Sequence, residues 1–69
     1  MIRARAIVDV ITEKKPPALS VWRVEVWGDK PHDYSFIYEI RAKTEAEAAM
    51  DGLQRFGEDV EKILSQERH

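Results

Sequence analysis

The chain has 69 residues, which makes one domain near the lower size at which a hydrophobic core sustains a fold by itself. It contains no cysteine, so disulfide bonds and thiolate metal ligands are excluded. Its 43% hydrophobic and 35% charged residues exclude a disordered tail. No apolar stretch approaches the roughly 20 residues of a membrane span, and the N-terminal segment lacks the cleavage site of a signal peptide. We therefore expect a soluble, cytoplasmic protein with a single domain over residues 1–69.

The formal net charge of −2 is unevenly distributed along the chain. Residues 1–43 hold eight Lys/Arg and six Asp/Glu, whereas residues 44–69 hold three and seven. The first part is therefore mildly basic and the second part acidic. Domains that bind nucleic acid commonly carry a clear basic excess, so the charge alone does not indicate such a partner.

Three segments in which apolar and polar residues alternate predict β-strands at about residues 2–12, 19–27 and 33–43. Each strand has one predominantly apolar face. The positions on this face are Ile2, Ala4, Ala6, Val8, Val10, Trp22, Val24, Val26, Tyr34, Phe36, Tyr38, Ile40 and Ala42. Proline-rich and turn-forming residues separate the strands, and short connections favour an antiparallel meander.

A helix is predicted over about residues 44–66, because Thr44-Glu45-Ala46-Glu47 matches a capping box. Apolar residues then recur every three or four positions and predict one buried stripe. The stripe comprises Ala46, Ala49/Met50, Leu53, Phe56, Val60 and Ile63/Leu64. Gly52 and Gly57 should each weaken the helix by about 1 kcal/mol relative to alanine. A helix that is interrupted at Gly57 is the alternative prediction. The predicted fold class is α+β: a three-stranded antiparallel meander followed by one long C-terminal amphipathic helix packed on one face.

The residue pattern does not predict catalytic chemistry. One histidine lies in a turn, at His32, and the other at the terminus, at His69. Ser20 and Ser35 have no adjacent His/Asp arrangement, and there is no phosphate loop, metal-ligand spacing or dinucleotide fingerprint. We therefore predict a non-enzymatic protein without catalytic residues, cofactors, metal ligands or a small-molecule substrate.

One helix can cover only one side of three strands, and we call the opposite side the open face. It should present Arg3, Arg5, Ile7, Asp9, Ile11, Val21, Arg23, Glu25, Trp27, Ile37, Glu39, Arg41 and Lys43. A group of exposed apolar residues of this size often marks an interface. We therefore predict protein–protein binding or homodimer formation through this face, with no membrane partner. The candidate partner-binding residues are Arg3, Arg5, Ile7, Ile11, Val21, Arg23, Trp27, Ile37, Arg41 and Lys43.

The same face has an alternative interpretation as a solvated surface. If the hairpins align the core residues, Arg23 lies between Asp9 and Glu39, and each cross-strand pair contributes about 0.2–1 kcal/mol. Arg5 would likewise stack on Trp27. The apolar side chains that these pairs leave uncovered favour the interface.

The order of elements and the segments Trp22–Val26 and Tyr34–Ala49 resemble the arm-type, or AP2-like, DNA-binding domain of phage and transposon integrases. The resemblance covers about residues 19–56, with Trp22 and the Thr44–Ala48 helix start in the matching places. In that family the sheet enters the DNA major groove. The resemblance implies DNA contacts by Arg23, Arg41 and Lys43, helped by Arg3 and Arg5.

The acidic helix supports another alternative, a small accessory or inhibitory protein of phage type. Its outer face would present carboxylates to a basic partner surface. They are Glu45, Glu47, Asp51, Glu58, Asp59 and Glu61.

Overall fold

The computed structural model describes residues 3–67. Strands β1 (Ala4–Thr12), β2 (Ser20–Gly28) and β3 (Ser35–Ala42) form one antiparallel sheet in the order β1-β2-β3. The helix α1 (Glu45–Glu67) follows β3 and packs against all three strands. The predicted α+β meander with one C-terminal helix is therefore confirmed.

The bounds of the elements differ from the predicted ones by small shifts. The third strand begins only at Ser35, because Gly28 N–H donates to the Tyr34 carbonyl at 3.0 Å and closes the preceding turn. The predicted start of the first strand at Ile2 and the terminal His69 lie outside the described residues. The described part measures 46 × 19 × 17 Å, so the molecule is elongated along the helix.

The register across the sheet is the expected one. Asp9 and Glu39 both lie opposite Arg23, and Arg5 lies opposite Trp27. One irregularity was not predicted: the pairing moves from Val10–Trp22 to Thr12–Val21, so Ile11 is an additional residue in β1. Such a bulge bends the strand and locally interrupts the ladder.

The hydrophobic core lies between α1 and the apolar face of the sheet, as predicted. Its buried members are Val24, Val26, Ile40, Ala42, Ala48, Phe56 and Val60. Trp22 packs against this cluster and its indole Nε1–H donates to the Ala42 carbonyl at 3.0 Å. Val10 departs from the prediction, since its side chain is 47% exposed at the edge of the sheet.

The buried stripe of α1 matches the predicted one only in part: Phe56 and Val60 are buried as predicted, whereas the residues before them differ. The buried helix residues recur every fourth position, at Ala48, Gly52, Phe56 and Val60. Ala46 is exposed, Met50 is 71% exposed and Leu53 is 37% exposed, so their assignment to the core was wrong. The helix turns this side towards the sheet because its backbone at Gly52 lies very close to Val24. A Cβ atom added to Gly52 would lie 2.5 Å from Val24 Cγ1.

The helix begins with a modified capping box and runs without a break through Gly57. Thr44 Oγ1 accepts the Glu47 N–H at 3.2 Å, as predicted. The Glu47 carboxylate accepts the Lys43 N–H at 3.2 Å, whereas a reciprocal box would use the N–H of Thr44. The helix is continuous from Glu45 to Glu67, which answers the question of a break.

The Tyr38 hydroxyl connects β3 to α1 by donating to Asp59 Oδ2 at 2.6 Å. Burial, followed by this hydrogen bond and the charge of Asp59, raises the pKa of Tyr38 above its ordinary value of 10.0. We expect Tyr38→Phe to lower the free energy of unfolding by about 1 kcal/mol at pH 7. Because the folded pKa is raised, this contribution is complete below pH 10.0 and is lost as the pH rises further.

Urea unfolding of Tyr38→Phe and of the unchanged chain between pH 7 and about pH 11 measures this effect. The matched control is Tyr34→Phe, because the Tyr34 hydroxyl makes only an exposed, 3.5 Å contact with Glu67. We expect the control to change stability very little. Equal losses in the two variants would contradict a specific role for the Tyr38–Asp59 bond.

Candidate interaction surface

The open face consists of odd-numbered positions of the three strands, which the register arranges in rows across the sheet. These rows are Arg5–Trp27–Ser35, Ile7–Glu25–Ile37, Asp9–Arg23–Glu39 and Val21–Arg41. Helix α1 lies on the opposite face, where the core is. The structure therefore places the predicted strand residues of the candidate site on one surface.

The central arginine of this surface is neutralised by its neighbours. Arg23 Nη1 lies 3.6 Å from Glu25 Oε1 and 3.9 Å from Asp9 Oδ2. The predicted cross-strand partner Glu39 lies opposite Arg23 in the register, whereas the pair with Glu25 on the same strand was not predicted. All these side chains are partly exposed, so each ion pair contributes about 0–1 kcal/mol. The middle of the face thus carries one arginine among three carboxylates, of Asp9, Glu25 and Glu39, and is negative overall.

A second arginine lies over the aromatic ring at one end of the face. Arg5 Cζ is 6.0 Å from the centroid of the Trp27 ring, which is the outer limit of a cation–π contact. Arg5 Nη2 also contacts Asp29 Oδ1 at 3.2 Å. The expected contact between Arg5 and Trp27 is therefore present, and a carboxylate from the following turn holds the guanidinium in place.

Uncovered isoleucine side chains flank the charged centre. Ile7 and Ile37 lie on either side of Glu25 and are 49% and 58% exposed. Ile11, the additional residue of the bulge, is 55% exposed. Trp27 and Val21 are half-buried on the same face. The face therefore combines exposed apolar side chains with a central group of charged residues.

The basic residues lie at the two ends of the open face and do not form one patch. Arg3 and Arg5 belong to one end, whereas Arg41 and Lys43 belong to the other. The rows of Arg5 and Arg41 are about 20 Å apart, at roughly 3.3 Å per strand residue. Beside Arg41, an open cavity of about 310 Å³ is lined by Lys14, Ala18, Leu19 and Val21. The two basic ends are thus separated by a centre in which carboxylates outnumber arginine.

A second exposed apolar surface was missed by sequence reasoning. Asp51, Arg55 and Asp59 are spaced four residues apart and lie on one side of α1. This side faces β3, because Asp59 accepts a hydrogen bond from the Tyr38 hydroxyl. The residues on the other flank of the helix therefore point towards β1. We call this surface the β1 flank; its exposed apolar members are Leu53 of α1 and Val10 of β1. Ala46 and Met50 are two positions from buried Ala48 and therefore lie on the outer side of α1, away from the sheet. The sequence does show these residues as part of an apolar pattern, but the prediction assigned them to the hydrophobic core.

Within residues 3–67 no cluster of three or more His, Asp or Glu residues is arranged to hold a metal ion. In the same part of the chain, α1 lacks the length of apolar sequence that a membrane crossing requires. No family model, curated protein or solved structure matches this chain.

Proposed function

We propose that the chain is a small non-enzymatic module that binds another protein through its open face. The observation that carries this proposal is the pair of exposed isoleucines, Ile7 and Ile37, on a face that α1 leaves uncovered. The same proposal places the protein in the cytoplasm. A second copy of the chain is the other partner that this face would accept.

The chemistry of the face favours a protein over a strongly charged partner. Tryptophan and arginine are enriched among the residues that dominate protein interfaces, and here Trp27 lies against Arg5. At the centre, Arg23 is already paired with carboxylates, so a partner would not have to bury an unpaired arginine there. The remaining basic side chains lie at the ends, where an interface usually has its polar rim.

A variant with Trp27→Ser and Ile37→Ser tests the proposal. Proteins captured from the source cells by the unchanged chain are identified, purified and titrated against both forms. Truncating two large apolar residues of the interface should weaken binding at least about 30-fold, since each 1.4 kcal/mol is a factor of ten. The control carries Met50→Ser and Leu53→Ser on α1, away from the open face, and should bind like the unchanged chain. Equal binding of all three forms would reject the open face as the contact surface.

The same variant separates an outside partner from a second copy on the open face. Light scattering over a range of concentrations measures the solution mass. A species of twice the 8.0 kDa chain mass that reverts to the single mass in the Trp27/Ile37 variant would assign a second copy to this face. A mass that the variant leaves unchanged would assign the face to an outside partner.

Duplex DNA is the rival partner that the resemblance to integrase domains implies. Arg41 and Lys43 favour it, because both are exposed and form no ion pair with residues 3–67. The paired Arg23 and the two separated basic ends speak against a continuous phosphate-binding surface. Arg41→Ala should weaken duplex binding and lower its salt dependence if this alternative holds. No duplex affinity at low salt would reject it.

A further inference from the structure

The outer side of β1 carries unpaired backbone groups in the part of the chain that the structure describes, since the sheet order is β1-β2-β3. The carbonyl of Arg3 accepts the N–H of Asp29 at 2.9 Å, and these two residues lie opposite each other. Hydrogen-bonded and non-hydrogen-bonded pairs alternate along an antiparallel ladder. The odd positions of β1 therefore bond to β2, whereas the N–H and C=O groups of the even positions point outwards.

This edge has few of the features that prevent pairing with another strand. Natural edge strands are commonly short, or carry lysine, proline or bulges along their length. Strand β1 is nine residues long, contains neither lysine nor proline, and is bulged only at Ile11 near its end. The segment from Ala4 to Val10 is therefore a regular edge with free donors and acceptors.

One antiparallel register between two β1 strands is self-complementary. With Ile7 on the two-fold axis, Ala6 lies opposite the second copy's Val8, and the outward backbone groups of both can bond. On the open face Ile7 then meets its own copy, and Arg5 meets Asp9 of the second copy, twice by symmetry. Opposite charges in such cross-strand positions stabilise a pair of strands. Placing Val8 on the axis instead would set Asp9 against Ile7, so the charges would not pair.

The β1 flank supports the same arrangement independently. A two-fold axis perpendicular to the sheet places both α1 helices on one face, with their β1 flanks turned towards each other. The two β2 strands would lie about 14 Å apart, at roughly 4.8 Å per strand spacing. Helices pack at about 8–10 Å, so side chains must fill the remaining space. Leu53 and Val10, which are 37% and 47% exposed, lie on that side.

The geometry points to a homodimer in which two β1 strands pair antiparallel around Ile7 and make one continuous six-stranded sheet. Both helices lie on one side of this sheet and both open faces on the other. The dimer therefore joins the open faces of the two copies into one broader surface. This inference does not depend on the proposed function, because the β1 edge and the β1 flank carry it.

A charge exchange tests the register. Arg5→Asp and Asp9→Arg, made singly, should each weaken dimerisation at least tenfold, because each sets two like-charge pairs across the axis. The dimer dissociation constant of the double variant should lie within about threefold of that of the unchanged chain, because each Arg–Asp pair is restored with the two residues exchanged. Within one copy these positions are about 13 Å apart along the strand, so recovery has to come from contacts between copies. The measurement is the dimer dissociation constant from sedimentation equilibrium.

Two isoleucine variants locate the contact. Ile7→Glu places two carboxylates on the axis and should leave only the 8.0 kDa monomer. Ile37→Glu is the matched control, because Ile37 is similarly exposed and also lies beside Glu25, but on the far edge strand. It should leave the dimer intact. A monomeric unchanged chain at millimolar concentration, or a double charge variant as weak as the single ones, would overturn the inference. Equal dissociation by both glutamate variants would also overturn it, and would assign self-association to the open face.

Discussion

Replacing Gly52 by alanine is expected to lower the free energy of unfolding by about 2 kcal/mol, although alanine is the better helix former. The added Cβ would lie 2.5 Å from Cγ1 and 3.2 Å from Cβ of Val24, which is fully buried. A β-branched valine has little rotamer freedom with which to move away. Either α1 moves off the sheet or the core is strained, and both cost stability.

Gly57→Ala is the matched control for this prediction. Gly57 lies in the same helix, but its added Cβ would have no neighbour within 4 Å. Alanine there should raise the free energy of unfolding by up to about 1 kcal/mol. Urea unfolding of both variants measures the difference, and adding Val24→Ala to Gly52→Ala should recover part of the packing loss. A stabilising Gly52→Ala would show that the helix does not approach the sheet this closely.

Phe56→Ala is expected to remove a large part of the free energy of unfolding. Phe56 is 0% exposed, and its ring meets Phe36 edge-on with centroids 5.9 Å apart. Removing a buried phenylalanine costs about 3–5 kcal/mol. A domain of this size has about 3–10 kcal/mol in total, at roughly 0.05–0.15 kcal/mol per residue. Far-ultraviolet circular dichroism with urea titration measures the loss.

Two further substitutions keep the Phe56 prediction quantitative. Phe56→Leu retains most of the apolar volume and should cost about 1–2 kcal/mol, so its unfolding transition remains measurable. Leu53→Ala, three residues earlier in α1, removes a side chain that is 37% exposed and should cost less than about 1 kcal/mol. An equal loss in the free energy of unfolding for Leu53→Ala and Phe56→Ala would show that Leu53 is buried against the sheet, as the apolar spacing predicted.

The sheet could be predicted from the sequence because alternation assigns every strand residue to a face. Aligning the apolar faces then fixes the register, and the positions of Asp9, Arg23 and Glu39 follow. The bulge at Ile11 did not follow, since no glycine or other local residue marks it. The bond between Tyr38 and Asp59 joins residues far apart in the chain, so no local pattern indicates it.

The buried side of α1 was less predictable for a specific physical reason. Apolar spacing selected Met50 and Leu53, because hydrophobicity gives glycine no weight as a core residue. The structure instead buries Gly52, since the absence of a side chain lets the backbone approach Val24. The buried side of α1 therefore depends partly on a residue that has no side chain. A pattern of apolar side chains does not reveal such a position.

The same difference explains what could be predicted of the candidate surfaces. The open face followed from alternation alone, and its candidate strand residues do share one surface. The pairing of Arg23 with Glu25 and of Arg5 with Asp29 depends on side-chain conformations that the alternation does not specify. The β1 flank was hidden because its apolar residues had been assigned to the core.

The elongated outline of the molecule affects how its mass must be measured. Its radius of gyration is 13.3 Å, whereas a compact chain of this length would have about 11 Å. A rod-like particle diffuses more slowly than a sphere of equal mass. On a gel-filtration column calibrated with spherical standards, a single copy would therefore elute early, as a larger protein would. Elution volume alone would therefore overstate the mass of a monomer, whereas scattering and sedimentation equilibrium report mass independently of shape.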